Sequence, residues 1–354
     1  MTTTETAIAE AIDHAIGATI ASTATAVADT APIGNELVRA IQLAVAGGKR
    51  MRARAIIASY EAHGGTDVSS VTPLCAAVEL FQAAALVHDD VLDGADTRRG
   101  QPTPHRVFAS AHRERGDVGD ATHFGMSAAI LTGDLALMAA FRAADAMTGV
   151  HASATRALFT EMTELVTVGQ YLDMRISAQP LGSLPGQLAD IRATMRAKTA
   201  SYTAEFPLAL GAAAARGAGP HVDAARRAGL PAGIAFQLRD DLLGIVGTEQ
   251  ATGKSVGGDI REGKRTVPLW HAWTRSGANG RTALMAAVGN ADATAAQIAT
   301  AIDVIRHSGA VATTEAEIEA LAAEVAEMVG LLAVPPEASA TLAALLQGWG
   351  ARSR

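Results

Sequence analysis

The chain of 354 residues is 49% hydrophobic but only 4% aromatic, and its 29 Lys and Arg against 36 Asp and Glu give a formal net charge of −7. That acidic balance, with no basic stripe, argues against a nucleic-acid partner. The single cysteine, Cys75, excludes a disulfide framework and a thiolate metal site, and is expected as a small buried helix residue. No Lys or Arg precedes Arg39, while Glu5, Glu10 and Asp13 do, which argues against a secretory or transit leader and for a cytoplasmic protein. No apolar run is expected to reach bilayer length, because Asp134 interrupts the best candidate, residues 126–140.

In chain order, strand signals are scarce and helical periods frequent. Residues 8–28 read as an Ala-rich, polar-faced helix, and the residues before it as frayed. Helices are predicted over 37–46 and 52–63, split by the Gly47-Gly48 break. Pro73 suits the first turn of a long apolar helix over 74–92. Residues 95–104, with Gly100, Pro102 and Pro104, are predicted as a loop. Further helices are predicted over 119–147, 153–177, 188–216, 221–246, 265–274, 294–307, 314–332 and 336–347, with a second loop at 179–186. Nothing reads as an interdomain linker or a short repeat, so a single all-α bundle over 1–354 is expected, with its site among facing helices.

Two acidic clusters stand out: Asp89-Asp90-Val91-Leu92-Asp93 and Asp240-Asp241. On a helix, Asp89 and Asp93 share a face one turn apart. Leu86 and Leu92 suggest an apolar setting in which such carboxylates need a cation, and hard oxygen donors without Cys or His favour magnesium. Arg98-Arg99-Gly100 follows, poorly placed to neutralise that face but suited to phosphate. Taken alone, this stretch reads equally well as a solvated acidic helix end and a basic loop. The lysines decide otherwise. Only four occur, Lys49, Lys198, Lys254 and Lys264, and three directly follow Gly, where a backbone approaches an anion closely.

These segments resemble the trans-isoprenyl (polyprenyl) diphosphate synthases, and geranylgeranyl diphosphate synthases among them. The resemblance rests on the first acidic cluster with its Arg-Arg-Gly, Gly47-Gly48-Lys49-Arg50-Met51-Arg52, Gly169-Gln170-x-x-Asp173, Lys198-Thr199, Phe236-Gln237-x-x-Asp240-Asp241, and Gly258-Asp259 through Lys264-Arg265-Thr266, in order. It implies the family's single-domain helical bundle with a central cavity, a homodimer, and three magnesium ions per site. By the same resemblance, Asp89, Asp93 and Asp240 hold metal, while Arg98, Lys198, Gln237, Lys254 and Lys264 hold an allylic diphosphate (dimethylallyl, geranyl or farnesyl). Lys49, Arg52, Gln82 and Arg99 would hold isopentenyl diphosphate, and Lys198, Thr199 and Gln237 would place dipoles on an allylic cation. Two positions depart from the family pattern: Gly244 stands where a third Asp is usual, and Gln82 where His is frequent.

Product length is expected to depend on the helix before Asp89, where Ala84 and Ala85 are too small to block a growing chain. Phe81, two turns below, is the first bulky obstacle and predicts a twenty-carbon product. The alternatives are a longer- or shorter-chain synthase, a regulatory subunit of a heteromeric synthase, and a class I terpene cyclase. A cyclase would need Asn or Asp, then Ser or Thr, then Glu at fixed spacing, where Gly244 and Thr248 stand. Three decoys fail. Walker loops would need Gly at Leu43 or Thr248, and a calcium loop needs oxygens at Val91 and Gly100. His88-Asp89 suggests a phosphohydrolase but lacks partner histidines, so His88 is expected to support its acidic neighbours.

Overall fold

The structure is a computed structural model that describes residues 3–28, 31–247 and 257–350. In chain order the helices are α1 (Thr3–Ala28), α2 (Asn35–Val45), α3 (Met51–Ala62), α4 (Thr72–Leu92), α5 (Pro104–Arg115), α6 (Ala121–Asp145) and α7 (Ala152–Ser177). Next come α8 (Leu188–Thr194), a π-helix (Met195–Glu205), α9 (Phe206–Arg216) and α10 (Pro220–Val246). The remainder are α11 (Gly258–Glu262), α12 (Val267–Arg275), α13 (Ala278–Ala287), α14 (Ala295–His307), α15 (Ala310–Gly330) and α16 (Pro336–Gly350). One antiparallel hairpin, β1 (Thr97–Arg98) with β2 (Gln101–Pro102), is the only sheet among the described residues.

The chain divides into two compact units, Met1–Phe159 with Leu210–Gly219, and Thr160–Ala209 with Pro220–Arg354. The first is organised around α4. Pro73 lies in its first turn, and from Leu74 to Val87 most of its side chains are buried. Helices α1, α2, α3 and α6 all pack on it. The stripe Ile12, Ile16 and Ile20 turns α1 inward at a helical repeat. Helix α6 buries a face of small residues, including Ala129, Gly133, Ala136, Ala140 and Ala143, which lets it approach α4 closely. In the second unit, Leu238, Leu242 and Ile245 of α10 join a core with Leu184, Ile191, Val267, Trp273, Leu284, Ile298, Ile305 and Ile318.

Several expectations need correction. Residues 68–92 and α6 are each long and apolar enough to cross a membrane, contrary to the sequence reading; 67% and 44% of their apolar windows lie buried within the fold. The predicted loop over 95–104 holds the hairpin, and the loop over 179–186 contains a 3-10 turn, Leu181–Gly186. Helices α5 and α13 carry no strong apolar stripe, and pattern reading passed over both. The single helix predicted over 188–216 is helical throughout but widens to π geometry in its middle.

Candidate active site

The first acidic cluster closes α4, with Asp93 as the C-cap and no basic residue in the last turn. Carboxylates there meet the negative end of the helix dipole, a penalty of about 0.3–1 kcal/mol each. The hairpin answers that charge. Arg99 (φ 53°) and Gly100 (φ 73°) are both left-handed, the requirement of a type I′ two-residue turn. The turn brings Arg98 back to α4, where Nε donates to Asp90 Oδ1 at 2.6 Å and Nη2 reaches Asp89 Oδ2 at 3.4 Å. Burial works against the Arg98 charge, but Asp90, Asp89 and Asp93 outweigh it and raise its pKa. Arg98 therefore does neutralise this helix end, against the sequence reading. Leu92 is 48% exposed and is no apolar wall. His88 also faces elsewhere: its Nε2 lies 3.1 Å from the Ile130 carbonyl and 3.4 Å from Asp134.

Arg99, Arg50 and Arg52 form a basic group of their own in this unit. Arg99 Nη1 donates to the Ala46 carbonyl at 3.1 Å, beside the turn that carries exposed Lys49 and buried Arg52. Burial lowers the Arg99 pKa, and the charges of Arg98, Arg50 and Arg52 lower it further. Crowded guanidiniums of this kind favour an anion with several oxygens. Gln82 is half-buried on α4. Further up α4, Ala84 is buried and Ala85 half-buried. Phe81 is 5% exposed and meets Phe159 edge-on at 6.3 Å, and Phe159 meets Phe141 at 5.4 Å.

In the second unit the π-helix carries Lys198 and Thr199, both half-buried. Wide helical turns of this kind concentrate at functional sites. Its neighbours sit at backbone contact: a Cβ on Gly169 would fall 2.3 Å from the Lys198 nitrogen, and one on Gly233 2.5 Å from the Ala200 carbonyl oxygen. Lys198 Nζ pairs with Asp173 at 2.5 Å, a partner of the Gly169-Gln170 motif to which the sequence reading gave no role.

The second acidic cluster lies on α10, where Asp240 is exposed and Asp241 buried. Gln237 Nε2 donates to Asp241 Oδ1 at 2.7 Å, so that glutamine is engaged within the cluster. Burial pushes the Asp241 carboxyl up to about 8; the Gln237 hydrogen bond opposes this, the Asp259 and Asp240 charges add to it, and Lys264 opposes it. Asp259 also explains Gly244: a Cβ at 244 would fall 2.5 Å from Asp259 Oδ2. A carboxylate delivered by α11 thus stands beside the position left vacant on α10. Lys264 pairs with Asp259 at 3.3 Å and Glu262 at 3.0 Å. Lys254 lies outside the described residues. Among those residues no group of three or more His, Cys, Asp or Glu closes around one point.

The sequence model of the polyprenyl synthetase family matches residues 35–305. The chain belongs to the polyprenyl synthetase family. The short chain isoprenyl diphosphate synthase of Methanocaldococcus jannaschii is 30% identical over 267 residues, 75% of each chain. The geranylgeranyl diphosphate synthase of Mycobacterium tuberculosis is 37% identical over 224 residues, 63% of this chain and 57% of that one. A crystal structure of geranylgeranyl pyrophosphate synthase from Corynebacterium glutamicum, complexed with isoprenyl diphosphate and magnesium, is 35% identical and superposes with a TM-score of 0.89 over 97% of this chain and 98% of that one. This synthase is a prenyltransferase that makes a trans-isoprenyl diphosphate, and its fold is the family's helical bundle.

A pH dependence follows from Asp241. Its folded pKa of about 8 lies above the ordinary 3.8, so the folded state holds a proton that the unfolded state releases. Its stabilising contribution is complete below the ordinary value and disappears as pH rises through the folded one. Metal-free protein should therefore melt a few degrees lower at pH 8.5 than at pH 6, at roughly 1–2 °C per kcal/mol for a chain of this size. In Asp241→Asn the slope should flatten; equal slopes in the two proteins would contradict the assignment.

Proposed function

We propose that this synthase joins isopentenyl diphosphate to an allylic diphosphate to form geranylgeranyl diphosphate, using three magnesium ions per site and acting as a homodimer in the cytoplasm. In this reading residues 1–354 act as one synthase domain.

The donor set suits magnesium. Asp89, Asp93 and Asp240 offer hard carboxylate oxygens, α4 has no basic residue in its last turn, and Asp241 is held protonated by burial, with the Asp259 and Asp240 charges adding to the effect. When bound, magnesium would supply the charge that a departing diphosphate requires. Arg98, Lys198, Lys264 and Lys254 would bind the allylic diphosphate. As its carbon–oxygen bond breaks, the allylic cation that remains would face the Thr199 hydroxyl oxygen, the π-helix carbonyls and the Gln237 amide oxygen. Lys49, Arg52, Arg99 and Gln82 would hold isopentenyl diphosphate; the crowding that depresses Arg99 is relieved by such an anion. The double bond attacks the cation, a carbon–carbon bond forms, and the proton lost from the product passes to the released diphosphate.

The Phe81–Phe159–Phe141 stack carries the product assignment. Each buried aromatic pair adds about 0.5–1.5 kcal/mol beyond area burial, so Phe81 is a rigid floor beneath small Ala84 and Ala85. Ala84→Phe should shorten the product and Phe81→Ala lengthen it, read by mass spectrometry of the dephosphorylated alcohols. An unchanged distribution in both would refute the floor.

The metal roles predict a graded pattern. Asp89→Asn and Asp240→Asn should each abolish turnover while leaving the fold intact. Asp259→Asn should raise the magnesium needed for half-maximal rate several-fold and affect the saturated rate less. Near-normal turnover in either of the first two variants would overturn the ligand set.

The homodimer is supported by α6, whose outer face shows Phe124 (38% exposed), Leu131 (56%) and Met138 (58%) at seven-residue intervals, with Ile130 beside them. An exposed apolar stripe of that length asks for a partner surface. Light scattering should report a dimer for the native protein and a monomer for Leu131→Glu; a native monomer would exclude this reading.

A further inference from the structure

The basic turn Lys49-Arg50-Met51-Arg52 offers three cations, and simple charge counting would assign all three to substrate. Arg50 does not fit that pattern. Its side chain is 10% exposed and is engaged by the protein itself: Nε donates to Asp13 Oδ1 at 2.8 Å, and Nη1 to the Val45 carbonyl at 2.8 Å. Nη1 also approaches Glu79 Oε2 at 3.5 Å. Glu79 is 4% exposed, and its other oxygen accepts from the Ala53 amide at 3.4 Å, in the first turn of α3. Gly48 lies against the same guanidinium, since a Cβ there would sit 3.0 Å from Nη1. Three helices, α1, α2 and α4, thus meet on one side chain at the entrance to α3.

The backbone at this point is also strained. Arg50 is the N-cap of α3 with φ 52° and ψ 37°, left-handed, and its side chain does not cap the helix. Among the described residues Arg50 and Arg99 are the two non-glycine residues with positive φ. Arg99 is explained by its hairpin turn, whereas Arg50 has no such turn. A left-handed arginine persists where its surroundings over-determine it, and strain of this kind gathers around functional residues. Asp13 lies ahead of residue 35, where the family match begins, so the outermost contact comes from this chain's own amino-terminal helix.

We propose that Arg50 is a positioning residue, clamped by Asp13 and Glu79, that fixes the turn presenting Lys49 and Arg52 to the diphosphate of isopentenyl diphosphate. The inference rests on the assignment of Lys49 and Arg52 to that substrate. Held open by the αL residue and fastened to the Val45 carbonyl, the turn keeps both cations in one register. Loosened, it would still carry the same charges but would lose part of its pre-organisation. The effect belongs to binding of one substrate.

Steady-state kinetics with both substrates varied tests this in Lys49→Ala, Arg50→Ala, Asp13→Asn and Asp13→Glu. Asp13 is well exposed, so Asp13→Asn removes the clamp's charge without opening a core. The expected result is a rise of about tenfold in KM for isopentenyl diphosphate in both Arg50→Ala and Asp13→Asn, with kcat and the allylic KM within about twofold of native. Asp13→Glu should restore most of the affinity, and Asp13→Asn combined with Arg50→Ala should be no worse than Arg50→Ala alone, because both act through one contact. A rise in Arg50→Ala with none in Asp13→Asn would mean that Arg50 touches substrate, and would overturn the proposal. So would equal losses for both substrates alongside a fall in Tm, the mark of a purely structural role. If Arg50→Ala does not fold, Asp13→Asn and Asp13→Glu decide alone. An unchanged isopentenyl KM in Lys49→Ala would instead refute the substrate assignment itself, and the clamp's role with it.

Discussion

Carboxylates gathered at a helix end and inside a core are the constraint around which this synthase is organised. At the end of α4, Asp89, Asp90 and Asp93 face the negative pole of their own helix. On α10, Asp241 is buried so deeply, with Asp259 and Asp240 adding to its load, that it holds a proton near neutral pH. Placing such groups inside a fold is costly even where arginine and amide partners offset part of the cost. Their retention makes sense when a divalent cation arrives with the substrate and completes the balance.

Several arginines are engaged by the protein itself. Arg98 is spent largely on Asp90 and Asp89, and Arg50 on Asp13, Glu79 and a carbonyl. Arg99 sits among like charges with its pKa depressed. An inward arginine with three or more acceptors is a rigid strut, because its planar fork loses little freedom per bond formed. Lysine, a flexible point charge, appears at only four positions, and the two in the second unit with described surroundings, Lys198 and Lys264, each pair with a carboxylate. A diphosphate binding there would compete with Asp173 or Asp259 for its cation, which couples anion binding to release of a carboxylate.

Backbone geometry supplies the remaining chemistry. The π-helix at Met195–Glu205 departs from i→i−4 bonding where Lys198 and Thr199 lie, and Gly169 and Gly233 admit neighbouring backbone at distances a Cβ would forbid. Left-handed Arg50 and Arg99 both border the basic group near the start of α3. Irregular backbone therefore concentrates around Lys198 and Thr199 and beside the basic group, while the cores around α4 and α10 are regular.

Much of this was legible in the sequence because it depends on local rules. Helical periodicity, Pro73 at a first turn and the Gly47-Gly48 break placed most helices to within a few residues, and paired carboxylates one turn apart with four retained lysines pointed to the family and its diphosphate chemistry. What escaped was decided by contacts between different structural elements. Asp259 beside Gly244, Asp173 on Lys198, Arg98 folded back onto Asp90, His88 turned toward Ile130 and Asp13 holding Arg50 each join residues from different elements, and no residue type or spacing encodes which acceptor a long side chain will reach. The Arg99-Gly100 hairpin falls within a predicted loop because two-residue strands leave no period to detect, and the π-helix within a predicted ordinary helix because one extra residue per turn barely shifts the pattern. The sequence by itself determined helix content, fold class and the family's diphosphate chemistry; tertiary packing alone decided which charges are compensated and by which partner, because compensation depends on distances of a few ångströms between side chains brought together only by folding.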